Sequence, residues 1–316
     1  MIQKVAQVSM PVDETLAIRR NRLQPESGGN GRRISIVTGI HGDELEGQYV
    51  CYEVARRIAL HPEHLRGTVD IYPALNPFGI DSITRGIPAF DLDMNRVFPG
   101  RHDGDMNESL VAEIVESLLG SDLCMDIHAI NIYLTEIPQI RINELFADRL
   151  VPLARLANVD FIWVHGASTV LEATLAHSMN SRGVPTLVAE MGVGMRVTRA
   201  YGDQLTEGIF RLMAHLGIWD GPIAPVREPV VSCRPDGVAF LNAPVSGVFL
   251  KDTEHGAHLR EGALIGRIVN PLTGALLSEV RAPCEGWLFT IREYPLVDQG
   301  SLMARMLREG GDRHEA

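Results

Sequence analysis

Two histidines and a glutamate stand in short polar strings that close apolar runs: Gly39-Ile-His-Gly-Asp-Glu44 and Asp126-Ile-His128. Two imidazoles and one carboxylate, with a fourth position left to water, are the donors of a catalytic zinc. A structural zinc is more often closed by thiolates. His41 and Glu44 follow the run Ile34-Ser-Ile-Val-Thr38, so a strand that ends in a glycine-flanked turn and enters a helix could aim both at one point. His128 comes far along the chain, at the end of Leu123-Cys-Met-Asp-Ile127. A third ligand so distant suits a site assembled by a fold. An H-x-x-E alone recurs by chance, and its place after a strand gives it weight.

Other reactive side chains gather near these strings. Asp126 is two residues before His128, so on a strand both point to one face. It either holds the free nitrogen of a ligating histidine or is an ordinary buried aspartate with backbone partners. Glu190 ends the apolar run Val184-Pro-Thr-Leu-Val-Ala-Glu190. A carboxylate there is expensive to bury without a task. Beside a metal-bound water it could move a proton to a leaving nitrogen; the competing role is a helix cap or ion pair. The proline- and glycine-punctuated stretch from Arg85 to Gly100 reads as a loop carrying Arg85, Asn95 and Arg96. Arginine with asparagine suits a substrate carboxylate or a developing oxyanion, against the plain alternative of solvated surface groups. His61 and His64 flank Pro62 and read as a surface turn. His165 is set aside as a pocket residue, and His255 and His258 are expected to face solvent.

The elements that must position these groups are short. Apolar runs at 34–38, 69–72, 123–127, 161–164 and 186–189 read as buried strands. Val50, Val54 and Ile58, then Leu110, Ile114 and Leu118, repeat at helical spacing. Alternation of this kind predicts an α/β domain over residues 1–221 around a mostly parallel or mixed sheet. In such sheets ligands bind beyond the carboxyl ends of the strands, where His41, Asn76, His128 and Glu190 all fall. Pro222, Pro225 and Pro229 then mark a linker, and residues 222–316 read as a second, β-rich domain serving as lid, pocket wall or oligomer contact. Ala243-Pro-Val-Ser-Gly247 is echoed by Ala282-Pro-Cys-Glu-Gly286, and Leu259-Arg-Glu-Gly262 by Leu296-Val-Asp-Gln-Gly300. Two similar β units predict a small pseudo-symmetric barrel or sandwich.

The 316 residues are 45% hydrophobic, and a net charge of −11 argues against a nucleic-acid partner. No apolar stretch approaches membrane-spanning length. Four scattered cysteines suggest free thiols in a reducing cytoplasm. Lys4 and Lys251 are the only lysines, so Schiff-base chemistry has almost no candidates.

Taken together, Gly39-x-His-Gly-Asp-Glu44, Asn76-Pro77, Asp93-Met-Asn-Arg96-x-Phe-Pro-Gly100, Asp126-Ile-His128 and Glu190-x-Gly192 resemble the succinylglutamate desuccinylase/aspartoacylase family, a branch of the carboxypeptidase-A-like zinc hydrolases. The resemblance covers most of the chain. It implies a carboxypeptidase-like α/β/α sandwich with a mixed sheet, followed by an all-β barrel-sandwich domain similar to biotinyl/lipoyl folds. The turn between the halves of that domain, Asn270-Pro-Leu-Thr-Gly274, has no lysine to carry a prosthetic group. The family implies one Zn2+ on His41, Glu44 and His128, with Glu190 as general base and then acid. Arg85 would polarise the scissile carbonyl, and Asn95 and Arg96 would bind the substrate carboxylate. Aspartoacylases proper also use an arginine shortly before the catalytic glutamate and a C-terminal tyrosine, for which Arg182 and Tyr294 are the possible counterparts. Ile137-Pro-Gln-Ile-Arg-Ile142 departs from the aspartoacylase pattern and makes Arg141 a further substrate-binding candidate. The likeness is to the broader bacterial group, which includes a deacetylase of N-acetyl-diaminobutyrate, and family habit adds a homo-oligomer. The expectation is a deacylase of small N-acyl amino acids of acetyl or succinyl type. A metallocarboxypeptidase, or a non-catalytic metal or small-molecule binding protein, is the alternative.

Overall fold

The computed structural model describes residues 1–9, 12–26, 28–88, 90–166, 172–233 and 236–309. An antiparallel pair, β1 (Ile2–Ser9) and β2 (Thr15–Leu23), opens the chain. There follow β3 (Arg33–Thr38), α1 (Glu46–Leu60), β4 (Thr68–Tyr72), α2 (Pro77–Ser82), α3 (Met106–Leu118), β5 (Leu123–His128) and β6 (Leu134–Asn143). Next come α4 (Ala147–Ala154), β7 (Phe161–His165), α5 (Leu175–Ser181), β8 (Thr186–Gly192) and α6 (Arg199–His215). All five apolar runs are strands, and both helical repeats are helices.

The main sheet runs β1-β2-β4-β3-β5-β8-β6. Its centre, β4, β3, β5 and β8, is parallel, whereas β2 and β6 join antiparallel. Buried on both faces, the parallel strands are continuous apolar runs, as such strands must be. Alternate residues serve opposite layers. Ile34, Ile36, Val69, Ile71, Leu123, Met125 and Leu187 pack with α1 and α6. Val37, Tyr72 and Cys124 pack with α3 and α5 through Leu110, Ile114, Leu118, Leu175 and Met179. The result is three layers with the sheet in the middle.

β6 is where the sheet divides. Its residues 139–143 pair parallel with β7, and β9 (Val230–Ser232) extends that branch. The remaining strands are β10 (Val238–Asn242), β11 (Gly247–Lys251), β12 (His258–Leu259), β13 (Leu264–Asn270), β14 (Ala275–Arg281), β15 (Gly286–Arg292), β16 (Leu296–Val297) and β17 (Leu302–Arg308). The first residues of β6, Leu134 to Glu136, pair with β15, which leads on to β17 and β10. The C-terminal strands are therefore continuous with the main sheet by backbone hydrogen bonds.

A second, antiparallel sheet, β14-β13-β11-β16, packs over them. Phe249, Ile265, Ile268 and Val280 share one core with Leu288, Ile291, Met303 and Met306. The two copies of the Ala-Pro-x-x-Gly repeat lead into β11 and β15. Their pairings are reciprocal: β11 takes β13 and β16, and β15 takes β17 and β12. Asn270 accepts from Leu272 N at 2.9 Å to close the β13–β14 turn. All four cysteines are free, and among the described residues no helix is long and apolar enough to cross a membrane.

Candidate active site

His41 and Glu44 sit on the turn from β3 into α1. Gly39 has φ +68°, a conformation that disfavours any side chain. Gly42 is packed so closely that a Cβ would lie 1.9 Å from the carbonyl carbon of Gly79. The motif's glycines are thus needed for the backbone path that aims its ligands. His128 is the last residue of β5, beside β3 in parallel register, and this register carries it to the same place.

The three side chains converge. His41 Nδ1 is 2.8 Å from Glu44 Oε1, and His128 Nδ1 is 2.9 Å from Glu44 Oε2. The two Nδ1 atoms are 3.3 Å apart. One donor atom from each residue falls within 4.8 Å of the others, and all three residues are buried. Both rings turn their far nitrogens to carboxylates: His41 Nε2 lies 3.1 Å from Asp93 Oδ1, and His128 Nε2 lies 3.1 Å from Asp126 Oδ1. Carboxylates in that position fix ring orientation and raise ligand basicity.

The electrostatics follow from this crowding. Burial opposes protonation of both histidines, but Glu44 and Asp93 around His41, and Asp126 and Glu44 around His128, outweigh it and raise both pKa values. Burial would lift Glu44, yet the two imidazoles bring it below the usual carboxylate range. Asp93 is held down to about 2; its partial burial is overcome by His41, Arg85 and Arg96. The three donor atoms could hold one cation between them. Two nitrogens and a carboxylate oxygen, with oriented rings, fit a divalent metal of the zinc class.

The same cavity, ≈ 260 Å³, is also lined by Arg85, Asn95, Arg96, Arg141 and Glu190. These five are therefore brought together with His41, Glu44 and His128. Arg85 Nη1 donates to Glu44 Oε1 at 2.7 Å. Arg96 donates to the Asn95 carbonyl at 2.8 Å and leans towards Asp93, 3.8 Å away. Asn95 Oδ1 accepts from Leu175 N at 2.9 Å, tying the loop to the start of α5. Glu190 pairs in register with His128 on one side and Gln139 on the other. Its Oε1 is 3.3 Å from Arg141 Nη1. Its buried Oε2 has no hydrogen-bond partner among the described residues. Burial raises the pKa of Glu190, with Arg141 pulling the other way.

A family model of the succinylglutamate desuccinylase/aspartoacylase catalytic domain matches residues 30–216. The chain belongs to that family. An N-alpha-acetyl-L-2,4-diaminobutyric acid deacetylase from Halomonas elongata is 24% identical over 283 residues, covering 87% of this chain and 82% of the relative. The product-bound ectoine utilization protein EutE (DoeB) from Ruegeria pomeroyi superposes with a TM-score of 0.83 at 22% identity, over 98% of this chain and 94% of that one. A succinylglutamate desuccinylase/aspartoacylase from Rhodobacter sphaeroides gives 0.80 at 24% identity, over 97% and 95%.

Within this desuccinylase/aspartoacylase frame some expectations need correction. His165 does line the cavity. Sequence reading placed it outside because a histidine after a strand carries no distance information. His255 is half-buried, and its Nε2 meets Tyr201 Oη of α6 at 2.6 Å. His258 is exposed and stacks on Trp287, and His61 and His64 lie on the expected surface turn. Arg182 donates to Ser178 O at the end of α5, and Tyr294 packs edge-on against Tyr133. Neither lines the cavity. Asn76 is also absent from the wall and acts beneath it: Oδ1 caps α2 at Gly79 N, 2.9 Å, and Nδ2 donates to Gly86 O, 3.0 Å. It thereby anchors the residue next to Arg85. Sequence reading passed over Asn143 and His177 as cavity residues. Asn143 Nδ2 and His177 Nδ1 are buried polar atoms with no partner among the described residues. No motif marks them; only the fold brings them to the wall.

Proposed function

We propose that this chain is a zinc-dependent amidohydrolase that releases the acyl group from a small N-acyl amino acid of acetyl or succinyl type. One observation carries the reading: the His41–Glu44–His128 cluster opens into the same cavity as Glu190, whose Oε2 is buried and unengaged by the described residues. A zinc held by His41, Glu44 and His128 would supply Lewis acidity there and lower the pKa of water to about 7. Glu190, steadied through Oε1 by Arg141, takes the attacking water's proton on Oε2 and delivers it to the leaving nitrogen. Its raised pKa suits that reversal of roles. Arg85 donates to the developing oxyanion. Arg96 and the amide nitrogen of Asn95, whose oxygen is already spent on Leu175, bind the substrate carboxylate. Arg141 contributes to the inner wall. The buried, unpartnered Asn143 Nδ2 and His177 Nδ1 favour an amino acid with a further polar group; the side-chain amine of the Halomonas relative's named substrate would donate to His177 Nδ1 in its acceptor form.

The cavity is small for a peptide groove, which is why a single amino acid is preferred to a peptide C-terminus. Residues 222–316 are taken as a barrel-sandwich domain appended to a catalytic domain of residues 1–221. The reciprocal pairing of β12 with β15 and β16 with β11 supports that division. The test is a panel of N-acetyl and N-succinyl amino acids, Nα-acetyl-2,4-diaminobutyrate included, assayed beside short peptides before and after chelation. Metal-dependent release of acetate or succinate is expected. Cleavage of peptides alone would instead mark a carboxypeptidase, and indifference to chelation would remove the zinc mechanism.

A further inference from the structure

We propose that Glu136, Arg305 and Thr290 are positioning residues for Glu190, acting through Arg141, so that the C-terminal strands hold the proton-transfer carboxylate in place. The inference rests on the reading of Glu190 as the general base. Glu136, Thr290 and Arg305 are register neighbours across β6, β15 and β17. Glu136 is fully buried, and its two oxygens have separate duties. Oε1 accepts from Thr290 Oγ1 at 2.7 Å and from Arg305 Nη1 at 2.8 Å; Oε2 accepts from Arg141 Nη2 at 2.6 Å. Arg141 then reaches Glu190 Oε1 with its other terminal nitrogen, 3.3 Å away. The order Arg305–Glu136–Arg141–Glu190 alternates charge from the C-terminal strands to the cavity. Trp163 lies against both guanidinium groups, with each Cζ 5.7 Å from the ring centroid.

A chain of this kind is a poor fastener. Buried ion pairs recover little more than their desolvation penalty, so apolar contacts would hold these strands together as well. Its geometric consequence is specific. Without Arg305, Glu136 keeps a single cationic partner, and that partner is Arg141. Arg141 is then drawn towards Glu136 and away from the weaker, longer contact to Glu190. Glu190 would lose the fixed position that proton transfer requires, while the cation ligands and the carboxylate-binding Arg96 and Asn95 stay untouched.

Crystal structures and kinetics of metal-loaded Arg305→Met and Arg305→Lys test this. In R305M the Arg141–Glu190 contact should open beyond hydrogen-bond reach. Its kcat should fall about tenfold or more with KM within about threefold, because misplacing a catalytic group by an ångström removes that much rate. R305K, which keeps the charge, should restore most of kcat, and metal content should be unchanged in both. Should R305M fail to fold, Thr290→Val carries the test, with kcat lowered about threefold at constant KM. Retention of the Arg141–Glu190 contact in R305M, or unaltered kcat in R305M or T290V, overturns the proposal. So does a loss that falls equally on KM and is not rescued by lysine. If the wild-type protein hydrolyses no N-acyl amino acid, the functional reading fails, and the R305M crystal structure alone still decides whether Arg305 positions Glu190.

Discussion

At the scale of single residues, the account assigns one proton carrier and two ring-orienting carboxylates. Glu190→Gln should keep metal and substrate binding but lower kcat by about 10²–10⁴, the usual contribution of a positioned acid–base group; turnover beside metal analysis checks it, and near-normal kcat would refute the assignment. The direction of its pKa gives a second test. Burial raises Glu190, so the carboxylate that accepts a proton exists only above that raised value. The acid limb of kcat/KM should therefore lie above the ordinary glutamate range and vanish in E190Q. Asp93→Ala should weaken metal binding by about 10–100-fold, as loss of an outer carboxylate does, measured by competition with a chromogenic chelator. The convergence of His41, Glu44 and His128 was legible in the sequence because strand ends and glycine turns accompany them. Asp93 and Glu136 were not legible as partners, since their contacts to His41 and Arg141 are made through space.

At the scale of elements, the loop carrying Arg85 depends on the cap of α2. Asn76→Ala removes two buried hydrogen bonds, and should cost about 1–2 kcal/mol of stability. Urea denaturation reads that loss, and a rise in KM larger than that of a surface control reads the freed arginine; unchanged values of both would show the cap to be idle. The parallel strands could be found by eye, since double-sided burial demands unbroken apolar runs. β6 could not. It buries Thr135, Glu136 and Gln139, carries Pro138 and Arg141, and serves three neighbours, so its alternation is broken where the sheet divides. β1 and β2 were missed for a related reason: the edge strand and its neighbour have a half-exposed face that keeps charged and polar residues.

At the scale of the whole molecule, the sheet is one hydrogen-bonded body from β1 to β10, and the β6–β15 seam that makes it so leaves no mark in the sequence. That seam is where the C-terminal strands gain influence over Glu190. Metal binding should act on the same body. A cation that binds only the folded chain raises its stability by mass action, so chelation should lower the Tm and zinc should restore it. The histidines hold protons more tightly than free imidazole when the cluster is metal-free. A cation must displace those protons, so affinity should weaken as pH falls. The measurement that bears most directly on the account is elemental analysis of the purified, dialysed protein beside its His41→Ala and His128→Ala forms. About one zinc per chain in the wild type and only traces in both variants are expected for a three-ligand site. A wild type without stoichiometric metal, or variants that keep it, would contradict the account.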